Sequence, residues 1–146
     1  MASAIPVPAL SEDEKTMALL AHILQIFTSW IGPLIIYFVK RESKFVAFHA
    51  MQALLLQIVL VVLTILCVML WIFLLVVIVL THTGTAPGNA TPPFELIAVI
   101  PLLWFGMMAV GLANIVLGIV YAVRASRGER ASYPVVGGWA RRIVGV

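Results

Sequence analysis

Three long apolar stretches separated by short polar segments organise this chain: Met17 to Val39, Phe45 to Leu80, and Phe94 to Val123. No charged residue lies between Phe45 and Phe94, and none from Leu96 to Val123. About 20 apolar residues in a helix cross roughly 30 Å of hydrocarbon, so each stretch is long enough to span a bilayer. The pattern predicts an all-α, polytopic membrane protein with three transmembrane helices.

Local signals set the expected boundaries. Ser11 precedes the first stretch with Glu14 three residues on, a capping box, and Glu12, Asp13 and Glu14 suit the positive end of a helix dipole. Gly32-Pro33 interrupts this stretch, because proline removes a backbone donor and clashes with the preceding turn. The expectation is one kinked span, Thr16 to about Trp30 and then Pro33 to Val39. The second stretch would measure about 54 Å as one helix. It contains no Gly or Pro to turn the chain, so it predicts a single tilted span from about Ala53 to Leu80. Phe45 to Gln52 is expected at the interface. Thr81 to Pro93, rich in turn formers, reads as a loop. The third span, from Phe94, is expected to bend at Pro101. These readings divide the chain into an N-terminal tail (1–15), a three-helix membrane domain (16–124) and a basic tail (125–146).

Composition agrees with a membrane location. Hydrophobic residues make up 63% of the 146 and charged residues 10%, against about 45–50% and 25% in soluble domains. This excludes a soluble enzyme domain, a disordered tail and a coiled coil. The net charge of +3 is too small to argue for nucleic acid. The N-terminus has no positive charge ahead of its apolar residues, so it is expected to stay on the mature chain.

The distribution of basic residues predicts an orientation. Lys40, Arg41 and Lys44 crowd one connection, and Arg124, Arg127, Arg130, Arg141 and Arg142 follow the third stretch. The Thr81–Pro93 loop has no Lys or Arg, and the N-terminal tail has only Lys15. Three crossings place the N-terminus outside and the C-terminus in the cytoplasm, in a multi-pass protein of the bacterial inner (cytoplasmic) membrane.

Chemistry-bearing residues are few. His22 and Gln25 lie in the first stretch, and His49, Gln52 and Gln57 at or beyond the start of the second. Such intramembrane or interfacial polar groups serve either as helix contacts or as a ligand or proton site. In a three-span arrangement His22 and His49 differ in height by roughly 25 Å, which argues against a shared haem or metal. No carboxylate falls in the membrane core, since Glu95 opens the third helix, and Thr64 is expected to bond back to its own helix. Cys67 is the single cysteine, so no internal disulfide can form. No catalytic activity, cofactor or metal site is expected.

Packing signals concentrate in the third stretch. Gly111, Asn114, Gly118 and Ala122 share one helix face, a stripe of small residues with one amide. It is either an internal packing face or a docking face for a partner. The wall from Ile58 to Val79 is expected to face lipid, with Met107 and Met108 as fillers. Trp139 with Arg141 and Arg142 suits a short segment on the inner membrane surface. Asn89-Ala90-Thr91 matches a glycosylation acceptor, a pattern common by chance in a Thr-rich loop.

Several fragments together carry a resemblance: Ala21-His22-Ile23-Leu24, Gly32-Pro33-Leu34-Ile35-Ile36, Phe45 to Leu54 with Gln57, Arg124-Ala125 with Gly128-Glu129, and Tyr133-Pro134. From about Lys15 to Pro134 the chain resembles a prokaryotic family of small membrane proteins of unknown function, distantly similar to the channel subunit of the chloroplast Tic translocon. The resemblance implies a small helical membrane protein. The residues favour a non-catalytic accessory or assembly subunit that docks other membrane subunits, or itself, within the bilayer. The alternative is a Tic-like protein-conducting or small-solute transport component acting as an oligomer, since one copy offers too few polar residues to line a pore.

Overall fold

The computed structural model describes residues 9–82 and 94–146. Among them every regular element is a helix: α1 (Glu12–Thr28), α2 (Ile31–Val39), α3 (Lys44–His82), α4 (Phe94–Ser126) and α5 (Gly137–Val144). Of these residues, 9–58 and 115–146 form one compact unit, and 59–82 with 94–114 a second. The Asn89-Ala90-Thr91 acceptor and the side chain of Glu95 lie outside the described residues.

The first unit begins with the capping box. Ser11 Oγ accepts from the Glu14 amide at 3.1 Å, and Glu14 Oε2 accepts from the Ser11 amide at 2.9 Å. α1 then ends where Ser29 takes a positive φ of 55°, rare outside glycine. There the chain reverses. α2 runs back along α1, and Lys40 Nζ meets Asp13 Oδ2 at 2.7 Å. Ser43 Oγ donates to Glu14 Oε1 at 2.6 Å. As one continuous helix, Asp13 and Lys40 would stand about 40 Å apart.

This corrects the expectation of a single kinked span: Met17 to Val39 is a helical hairpin. Gly32 explains why a turn is possible here, because a Cβ on it would collide with Leu24 Cβ and Thr28 Oγ1. The two helices therefore close on each other at the one position without a side chain. Among the described residues two helices are long and apolar enough to cross a membrane, Lys44–Thr81 and Ile97–Ser126.

Phe45 to Gln52, expected at the lipid interface, instead forms the middle of a protein core. Phe45, Val46 and Ala50 pack with Ala18 and Ala21 of α1, Ile36 of α2 and Ala125 of α4. Ala47, Phe48, Met51 and Leu54 pack with Ala140 and Val144 of α5. α4 ends at Gly128, whose φ of 77° lets its amide reach Ala125 O at 2.9 Å while the Glu129 amide reaches Arg124 O at 3.1 Å. α5 closes in the same way at Gly145, and Lys44 Nζ donates to Val144 O at 2.6 Å, placing a cation on the negative end of that helix.

The start of α1 also lies beside the end of α4. Leu10 Cδ1 and Lys15 Cε are 3.3 and 3.7 Å from where a Cβ on Gly128 would stand. The beginning of the described chain and the basic C-terminal segment thus share one end of this unit. The expectation that the two ends face opposite sides of the membrane is not confirmed by this contact.

The second unit consists of the apolar lengths of α3 and α4. Its side chains point outward to a large degree, Met69 at 62% and Leu102 at 73% exposed, as a surface bathed in hydrocarbon requires. Pro101 sits inside α4 without ending it. A groove of about 460 Å³ lies among Cys67, Trp71, Leu103, Trp104 and Met107.

Candidate functional site

The hairpin brings together the polar residues that a three-span arrangement keeps apart. His22 Nε2 lies 3.0 Å from His49 Nδ1, which corrects the expected separation of roughly 25 Å. The segment after α4 supplies the third member: Tyr133 Oη lies 3.1 Å from His22 Nδ1. On the far side His49 Nε2 lies 3.0 Å from the Glu129 carbonyl. Gln25 Nε2 donates to Tyr133 Oη at 3.2 Å. His22, Gln25, His49 and Gln52 are all 1% exposed or less.

Only one assignment of protons satisfies this row with both rings neutral. The Glu129 carbonyl can only accept, so His49 carries its proton on Nε2 and its Nδ1 is an acceptor. His22 must then donate from Nε2, which leaves its own Nδ1 to accept from the Tyr133 hydroxyl. That hydroxyl accepts in turn from Gln25. Every donor therefore points the same way along the row. Burial disfavours the imidazolium and, with His49 adding to it, holds His22 far below the usual histidine range, at about 3. Burial likewise pushes the Tyr133 hydroxyl up.

The glutamines extend the network. Gln52 Oε1 accepts from the Tyr133 amide at 2.7 Å, and its Nε2 donates to Ala131 O at 3.1 Å. Gln57 Nε2 donates to Gln25 O at 3.1 Å, and Ser29 Oγ donates to Gln57 Oε1 at 3.5 Å. Rings pack around the histidines, with Tyr121 and Tyr133 centroids 4.0 Å apart and Phe45 4.7 Å from His49. Gln25 Oε1 is the one buried side-chain atom of the cluster left without a partner among the described residues.

Chemically this is a lock. All four imidazole nitrogens are engaged, so neither ring offers a lone pair to a metal. Among the described residues no three His, Cys, Asp or Glu side chains gather as a metal-binding group. The sequence singled out His22, Gln25, His49, Gln52 and Gln57 but placed them at different depths. Tyr133 entered only through the Tyr-Pro fragment. Nothing local marks it as a partner of His22, because 111 residues separate the two.

The small-residue stripe divides. Gly118 lies against α1, where a Cβ would stand 2.8 Å from Ile26 Cδ1, and Ala122 is 2% exposed. Gly111 has open space around it among the described residues. The basic residues split as well. Lys40 and Lys44 make the contacts given above, and the Arg124 guanidinium lies 5.5 Å from the centre of the Tyr121 ring. Arg41, Arg127 and Arg130 are at the surface or partly so. Of the tryptophans, Trp30, Trp104 and Trp139 are exposed, at 44%, 68% and 52%.

The chain is similar to a UPF0132 membrane protein of Methanocaldococcus jannaschii, 28% identical over 135 residues that cover 92% of this chain and 72% of that one. No solved structure matches it. Its residues 13–140, from the first turn of α1 into α5, match the family model for magnetosome magnetite crystal formation proteins. This small helical membrane protein therefore belongs to the magnetosome magnetite crystal formation protein family.

Proposed function

We propose that the chain is a non-catalytic accessory or assembly subunit of a larger protein complex in the membrane around a growing magnetite crystal. One observation carries this reading. The buried histidines, Tyr133 and the glutamines bond to one another and to backbone groups, Gln25 Oε1 excepted, while much of the surface left available is apolar helix. A network closed at both ends, by a backbone carbonyl and by a glutamine amide, offers no group to attack or activate a substrate. It holds α1, α3 and the segment after α4 in fixed relation. The family match supports a role in crystal formation, and the similar archaeal membrane protein supports the bilayer as its site.

The basic residues orient this arrangement. With α3 and α4 as the two crossings, Lys40, Arg41, Lys44 and the five C-terminal arginines fall on one side, the cytoplasmic side by the positive-inside rule. The inward-turned His22, Gln25 and Gln57 weigh against an oligomeric conduit, which needs them on a shared lining.

Solubilisation of native membranes in mild detergent tests the proposal. The tagged full chain is expected to co-purify with other membrane proteins at fixed stoichiometry, and its deletion to change magnetite crystal size or shape. A lone monomer together with unchanged crystals would overturn it.

A further inference from the structure

We propose that the α1–α2 hairpin is a re-entrant lipid anchor. Its outer face enters the acyl region of the leaflet on the basic side, and the chain leaves on the side it entered.

The outer face is apolar, and no other element covers it among the described residues. Phe27 is 80% exposed, Phe38 62%, Ile35 55% and Trp30 44%. Along α2, Ile31, Ile35 and Phe38 recur at the spacing of one helix face. Such an array in water would be a large unfavourable patch.

The hairpin's backbone is fitted to a dry surrounding. In hydrocarbon the amides freed at a helix break must find partners within the protein. Thr28 Oγ1 supplies one, accepting from the Gly32 amide at 3.0 Å while donating to Leu24 O at 2.8 Å. Ser29 Oγ turns inward to Gln57, and Pro33 has no amide to satisfy. His22 and Gln25 face the buried row, so no unmet side chain donor is turned outward along α1 at this depth.

Length and charge fix the depth. Nine residues of α2 rise about 14 Å, one leaflet of a core about 30 Å thick and half of what a crossing needs. At the hairpin's base Lys40 is paired with Asp13, and Arg41 is exposed beside it. Glu12, Asp13, Glu14 and Glu42 balance Lys15, Lys40, Arg41 and Lys44 there, and such a charged rim under an apolar tip suits the polar headgroup layer. Lipid is therefore the occupant we assign to this face, ahead of a protein partner.

The full chain reconstituted alone in phosphatidylcholine–phosphatidylglycerol vesicles provides the test. With Trp71→Phe, Trp104→Phe and Trp139→Phe leaving only Trp30, emission is expected to be lost to phospholipids brominated on their acyl chains and to resist aqueous acrylamide. In a Cys67→Ala background, Glu12→Cys and Arg41→Cys are expected to react with an impermeant maleimide from the same side. Trp30 open to acrylamide and untouched by bromolipid would overturn the proposal and assign the face to a protein partner. Labelling of Glu12→Cys and Arg41→Cys from opposite sides would overturn it in favour of a crossing. Should the triple tryptophan variant fail to fold, a nitroxide on Ile35→Cys reads the same contact. Relaxation by oxygen supports the anchor, and relaxation by a water-soluble reagent overturns it.

Discussion

His22 Nε2 stands 3.0 Å from His49 Nδ1, and the two rings are linked members of a row in which each donor determines the next acceptor. Because Glu129 O anchors one end and Gln25 the other, neither histidine can lose its partner without leaving a buried group unsatisfied. His22→Ala and His49→Ala are each expected to cost about 1–3 kcal/mol. The double variant should cost less than the sum, by about 0.5–3 kcal/mol, since the second removal no longer orphans a partner. Unfolding of the four proteins in one detergent measures the coupling. Strict additivity would show that the two rings do not share a bond.

Acid should loosen the same unit. His22 binds its proton at about 3 in the fold and near 6.5 when unfolded. The unfolded chain therefore binds more protons between those values, and stability falls as pH drops. His22's contribution is fully present above about pH 6.5 and is lost progressively toward pH 3. Its size is on the order of a few kcal/mol. A thermal melt series from pH 7.5 to 4 is expected to show a decline that His22→Phe flattens. Identical slopes for the two proteins would refute this assignment.

The glycines should separate by position. Gly32→Ala places a methyl against Leu24 and Thr28, and is expected to cost about 1–3 kcal/mol by prying α2 from α1. Gly111→Ala meets nothing among the described residues, and a gain of up to about 1 kcal/mol from helix propensity is expected. Gly118→Leu should fall with Gly32→Ala, because Ile26 occupies the space a side chain needs. Melting temperatures of the three variants decide the ordering.

Trp71 offers a test of opposite sign. Its indole Nε1 is buried without an acceptor among the described residues. An unmade bond to a buried donor costs about 1–3 kcal/mol. Trp71→Phe keeps most of the ring and removes the donor, so stability is expected to hold or rise. A clear loss, read from unfolding in detergent, would show that the indole nitrogen has an acceptor.

Much of the architecture follows from local rules. The Ser11–Glu14 capping box is present as the spacing predicts, because both partners lie within one helical turn. The unbroken apolar run from Phe45 to Leu80 forms one long helix since nothing in it can reverse the chain. The helical membrane class likewise follows from residue types alone.

What the sequence could not determine by itself is the path of Met17 to Val39. The kink at Gly32-Pro33 is legible, but a bend and a full reversal share that signature. The choice rests on Ser29 adopting a positive φ and on Gly32 closing against Leu24, both stabilised by contacts across the hairpin. Charge counting does not resolve it, for the N-terminal tail carries only Lys15. Residue types and short spacings decided the helices and their membrane character, because those depend on neighbours a few positions away. The tertiary structure alone decided that His22, His49 and Tyr133 meet, because that contact joins segments 27 and 111 residues apart through a turn whose stability lies in the packing it creates.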